Sequence, residues 1–158
     1  MPATVTHRPV AQPSTTLGKA LGPAHERWLA AAQAALAPAL LAESTRWDRW
    51  TAVRYLGDRF TTRLEQEREL VRGIPGLDRE MLAQVETGYE ALERLRARID
   101  LAGRRRHTGG VVMLLLTNFL ELLTDWCAAV EHAVATVPLA ALPPDALQLL
   151  ANLEGAPV

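Results

Sequence analysis

Two turn signals divide this chain, and they constrain its fold more than any other feature. The first is RGIPGLDRE at residues 72–80 and the second is GRRRHTGG at residues 103–110. Around them, apolar residues recur at helical spacing over three runs, about 46–72, 78–106 and 110–136. No stretch alternates apolar and polar residues with the period of two that a half-buried strand needs. Alanine and leucine dominate and β-branched residues are sparse, which favours helix on propensity as well. Helices this long joined by such short turns must lie antiparallel to one another. At 1.5 Å per residue each spans about 40 Å. The expected fold is therefore all-α: an elongated antiparallel helical bundle of three long helices, an N-terminal helical segment and a short C-terminal helix.

The boundaries follow from local chemistry. Thr45 with Asp48 approximates a capping box ahead of the first long run. Its expected inward positions are Trp50, Val53, Gly57, Phe60, Leu64 and Val71, and Gly73 with Pro75 ends it. The second run starts near Asp78 and turns Met81, Val85, Leu92, Leu95 and Ile99 inward. On the third, Val112, Leu116, Phe119, Leu123, Trp126, Val130, Ala133 and Val137 share one face, and Pro138 stops it. Asn118, Glu121, Asp125 and His132 gather on the opposite side, the pattern of a core helix in a soluble bundle. A membrane-spanning reading would bury Glu121 and Asp125 at roughly 2.5–3.5 kcal/mol each, so no membrane partner is expected.

Three segments are expected. Residues 1–22 carry Pro2, Pro9 and Pro13 with few large apolar side chains, and read as a flexible N-terminal arm. Residues 23–137 form the bundle domain, opened by a helix from Pro23 that carries Trp28, Leu29, Ala32 and Leu36 and breaks at Pro38. Residues 138–158 are a proline-containing linker followed by a short helix.

At 158 residues the chain suits one core. Its net charge is −1, which argues against a global attraction to nucleic acid. The charge is unevenly placed, however. Residues 44–108 hold fourteen arginines against eleven acidic residues, whereas residues 109–158 hold five acidic residues and no Lys or Arg. A lone cysteine excludes an intrachain disulfide. The N-terminus lacks a secretory pattern, so a cytoplasmic protein is expected.

Chemistry-bearing motifs are scarce. No glycine-rich phosphate loop, nucleophile elbow or metal-protease motif occurs. Glu121 and Asp125 lie one turn apart, but His132 is about 10.5 Å further along the axis and cannot share their ion. No catalytic residue, metal site or cofactor is expected, and the chain is read as non-enzymatic. Arg104, Arg105, Arg106 and His107 cluster at a helix end. They complement the helix dipole, and they are also the candidate contacts for an anion or nucleic-acid backbone. Trp28, Trp47 and Trp50, with Leu147 and Leu150 of the terminal helix, are the candidate partner-docking residues. The function expected is that of a helical interaction protein, an adaptor, assembly factor or small subunit, with a protein partner or self-association. The alternative is a helical subunit that grips nucleic-acid backbone through its arginines.

Overall fold

The computed structural model describes residues 15–105 and 109–155. The described residues are helical throughout apart from turns and one isolated bridge between Thr16 and Pro138, and the fold is an all-α bundle. The helices are α1 (Leu17–Leu40), α2 (Arg46–Tyr55), α3 (Thr61–Arg72), α4 (Arg79–Arg104), α5 (Gly109–Ala133) and α6 (Pro144–Gly155). A single π turn, Leu56–Phe60, joins α2 to α3 without interrupting the helical path.

The three long runs form where expected. Thr45 and Asp48 make the reciprocal capping box at the start of α2. The Asp78 carboxylate accepts from the Glu80 and Met81 N–H groups at the start of α4. Gly73 closes α3, its N–H donating to the Glu69 carbonyl. Thr108, a natural cap for α5, lies outside the described residues.

The start of the chain departs from expectation. Helix α1 begins at Leu17, not at Pro23, so the arm expected over residues 1–22 is helical from residue 17. Residues 1–14 lie outside the described residues. Leu17 and Leu21 are wholly buried. The orphan N–H groups of the first turn find acceptors in the turn that follows α5, Leu17 donating to Val137 O (2.8 Å) and Gly18 to Val134 O (3.2 Å). Pro38 does not break the helix either. Pro23 and Pro38 both sit on its exposed side, where the rings meet no packed neighbour helix and solvent can serve the preceding turn. Burial of Leu17, Leu21, Leu36 and Ala39 on the other side holds the helix together across them.

These termini also set the topology. The start of α1 meets the end of α5, so the two run antiparallel, and short turns make hairpins of α3–α4 and α4–α5. Helix α5 packs along both α1 and α4, and α6 lies against α3 and α1. By length and composition α5 would suffice to cross a membrane. In the bundle its stripe from Val112 to Val130 is buried in the common core.

Gly18 packs against the backbone at the end of α5 and the turn after it. A Cβ there would lie 2.9 Å from Ala135 Cα and 3.2 Å from Glu131 O, both backbone atoms with no rotamer to yield. Gly18→Ala is expected to destabilise the fold by about 1–3 kcal/mol in urea unfolding. A loss below about 0.5 kcal/mol would mean that the α1–α5 junction slides freely.

The π turn corrects the inward register of the first long run. Phe60, Leu64 and Val71 are buried as expected, but upstream Ala52 and Leu56 are buried, while Trp50 and Gly57 are exposed and Val53 only half-buried. A π turn takes up one residue more than an α turn, so every face before it is rotated by one position. The Thr61 hydroxyl donates to Leu56 O at 3.1 Å, satisfying a carbonyl that the widened turn displaces.

Candidate functional site

Two places concentrate polar chemistry, one inside the bundle and one at its end. The inner one is built on His25 of α1, which is 1% exposed. Its Nε2 lies 2.9 Å from Glu67 Oε2 on α3, and its Nδ1 lies 2.6 Å from Glu131 Oε1 on α5. An ionised carboxylate oxygen only accepts, so with both glutamates ionised each ring nitrogen donates and the ring is held as an imidazolium. Burial pulls this imidazole toward the neutral form, but the hydrogen bonds and charges of Glu67 and Glu131 outweigh it and hold His25 above its ordinary value. The other oxygen of Glu67 accepts from Arg63 Nε and Nη2 at 3.2 and 3.1 Å. Arg63 Nη1 then donates to the Leu153 carbonyl near the end of α6, at 3.1 Å, and its guanidinium lies 4.9 Å from the Trp28 ring centroid.

The cluster thus joins α1, α3, α5 and α6 with two cations and two anions. Among the described residues no buried side-chain polar atom lacks a partner. Glu131 alone reaches the surface, its side chain 38% exposed. In this state His25 has no free lone pair, so it can organise charge but cannot take up a proton. Cys127 lies near by, and burial, reinforced by the charges of Glu67 and Glu131, pushes its thiol well above the ordinary range. Such a thiol is a buried packing group and not a nucleophile.

Sequence reasoning missed this cluster. Arg63 and Glu67 have the i,i+4 spacing of an ordinary solvated pair, and no motif in the sequence singles out His25. The signal was positional. Glu67 falls in the gap of the inward stripe between Leu64 and Val71, and His25 lies between Leu21 and Trp28 on the buried side of α1.

The structure separates the expected docking residues into two groups. Trp28 belongs to the core, stacked on Phe60 at 4.9 Å and edge-on to Trp126. Leu150 is likewise buried, which withdraws both from a docking surface. Trp28 is enclosed by Phe60 and Trp126, and Leu150 is drawn inside because α6 packs over α3 and α1. Leu147 remains outside at 44% exposure. Trp47 and Trp50 are exposed at 69% and 45%, stacked on each other at 4.9 Å, with the Arg54 guanidinium over the Trp50 ring.

These tryptophans mark one end of the bundle. Arg49 of α2 lies beside Gly109 at the start of α5, and Val53 packs on Gly103 near the end of α4. The beginning of α2, the end of α4 and the beginning of α5 therefore meet there. Among the described residues seven large hydrophobic side chains are exposed. Six of them, Leu41, Trp47, Trp50, Leu101, Val111 and Leu114, lie at this end.

A groove of about 500 Å³ runs between α2 and α4 at the same end, leading to the π turn. Trp50, Val53, Gly57 and Gly103 line it, and Arg46, Arg54 and Arg104 stand along it with Asp58 and Asp100. Arg54 pairs with Asp58 at 3.2 Å and Arg104 with Asp100 at 3.0 Å, both pairs well exposed. Arg105 is exposed just beyond, while Arg106 and His107 lie outside the described residues. The expected cluster of Arg104, Arg105, Arg106 and His107 thus has its first member engaged in the groove.

The remaining arginines of the 46–72 run are largely committed to the fold. Arg49 donates to the Ser44 carbonyl, Arg63 to Glu67, and Arg68 and Arg72 both to Glu86. Among the described residues no three His, Cys, Asp or Glu side chains converge as metal ligands would. The chain matches no known family, and no curated protein or solved structure is detectably similar to it.

Proposed function

We propose that this chain is a non-enzymatic helical interaction protein that binds a protein partner, or a second copy of itself, through the bundle end carrying Trp47 and Trp50. The observation behind the reading is the gathering of six of the seven exposed large hydrophobic side chains at that end. Isolated exposed apolar residues are ordinary on a protein surface, whereas a cluster with two stacked tryptophans and arginines around it has the composition of a binding hot spot. The commitment of Arg49, Arg63, Arg68 and Arg72 to carbonyls and carboxylates within the fold favours this reading over a nucleic-acid grip.

The test is affinity capture from the native cells together with sedimentation of the purified chain, comparing wild type with Trp47→Ala/Trp50→Ala. Nuclease-resistant capture or self-association, weakened at least about tenfold by the double substitution, is the expected result. Capture lost on nuclease treatment would replace the reading with the nucleic-acid alternative. Equal behaviour of the two proteins would remove the tryptophans from the interface.

A further inference from the structure

Resting on that reading, we infer that the groove between α2 and α4 docks a short acidic segment of a partner protein, one that carries an apolar side chain beside its carboxylates. The chemistry of the groove is mixed in a specific way. Its floor is small and apolar, because Gly57 and Gly103 bring no side chain to it and Val53 packs directly on Gly103. A Cβ on Gly57 would meet no atom within 4 Å, so the floor is open there. The indole of Trp50 forms one flank, and three arginines face two aspartates along the rim.

Charge complementarity selects the occupant. Arg46 makes no ion pair among the described residues. Arg54 and Arg104 hold only exposed partners, and exposed pairs are weak enough for an incoming carboxylate to displace. A guanidinium then offers that carboxylate a two-point hydrogen bond. Asp58 and Asp100 stand between the arginines and would repel a continuous run of phosphates, so a nucleic acid fits poorly. Discrete carboxylates spaced along a peptide avoid them. A leucine- or aromatic-sized side chain has the space between the glycines, and the exposed Trp47 extends the apolar surface beyond the groove mouth.

The backbone adds an independent sign. The π turn abuts the groove and contributes Gly57 and Asp58 to it. Single π turns inside α-helices recur at functional sites. Here the turn rotates α2 so that Trp50 and Val53 serve the groove while Ala52 and Leu56 fill the core.

The experiment is selection of random peptides, about twelve residues long, displayed on phage against the full chain. Recovered peptides would then be synthesised and measured by fluorescence polarisation against wild type, Gly57→Trp and Arg46→Glu. Gly57→Trp puts a bulky side chain into the groove from an exposed position where its Cβ meets no atom within 4 Å, and Arg46→Glu reverses the rim charge with the floor unchanged. The expected peptides carry Asp or Glu within a few residues of a large apolar side chain. Their affinity should fall at least about tenfold in each variant. It should also fall as salt rises from about 50 mM to about 300 mM. Peptides without acidic residues, or no recovered peptides, would overturn the proposal. Peptides bound equally by wild type and Gly57→Trp would also overturn it, while leaving the interaction reading standing on another surface.

Discussion

Replacing Glu67 with alanine is expected to lower the unfolding free energy by about 3–5 kcal/mol, measured by urea denaturation near pH 6. The side chain is small in volume terms, and the effect comes from what it leaves behind. His25 would keep only Glu131, and Arg63 would keep the Leu153 carbonyl and the Trp28 ring but no anion, with both cations still buried. Glu67→Gln should lie between the two, because the amide oxygen can serve one cation while its NH₂ group opposes the other. A Glu67→Ala loss below about 1 kcal/mol would mean that water enters and solvates the cluster.

The same cluster makes stability depend on pH in a defined direction. The folded-state pKa of His25 is raised above its ordinary 6.5, so the folded chain keeps this proton where the unfolded chain releases it. The contribution is complete below 6.5 and is lost as pH rises through the folded value. Cys127 is raised as well, but it adds its own loss only above the ordinary thiol value of 9.0. Decline between these two values therefore belongs to His25, and His25→Gln should flatten that part of the curve. A wild-type profile that rises through the window would contradict the imidazolium assignment.

Trp126→Ala is expected to cost about 3–5 kcal/mol, a large deletion in the middle of the core. The indole is 2% exposed, edge-on to Trp28, and its N–H donates to the Val85 carbonyl at 2.9 Å. Its place exists because residue 88 has no side chain. A Cβ on Gly88 would stand 2.6 Å from Trp126 Cδ1. Gly88→Ala should therefore destabilise the wild type, since the indole is held by its hydrogen bond and cannot swing aside. In the Trp126→Ala background the same change should be neutral or stabilising. There the methyl enters vacated space, and a glycine inside a helix is exchanged for the best helix former. A double-mutant cycle by thermal unfolding reads this coupling directly. Equal effects of Gly88→Ala in the two backgrounds would show that the two residues do not compete for the same volume.

The architecture was legible because its signals were local and mutually consistent. Helix α5 buries every predicted inward residue from Val112 to Ala133 and exposes Asn118, Glu121, Asp125 and His132. An uninterrupted 3.6-residue period leaves one face for the core. The capping box at Thr45 and the turn at Gly73–Asp78 needed only neighbours in sequence. The start of α1 was not legible, because its first turn is completed by carbonyls of Val134 and Val137, more than a hundred residues away. The inner cluster was hidden for a related reason. An i,i+4 Arg–Glu pair looks the same whether its face meets water or another helix, and only the arrival of α1, α5 and α6 decides which. At the bundle end, Trp47 and Trp50 were singled out by residue type, whereas their exposure and the groove beside them depend on how α2 lies over α4.

The π turn also carries a lesson about insertions and deletions. A chain one residue shorter within Leu56–Phe60 would have the length for an unbroken α-helix from Arg46 to Arg72. Ala52 would then stand seven residues before Phe60, two α turns away, and would stay on the core face with Trp50 still outward. The same loss elsewhere in α2, with the π turn kept, would turn everything before it by about 100° relative to α3 and carry groove residues toward the core. The outward face of α2 therefore tolerates a one-codon loss inside the turn and not one beside it.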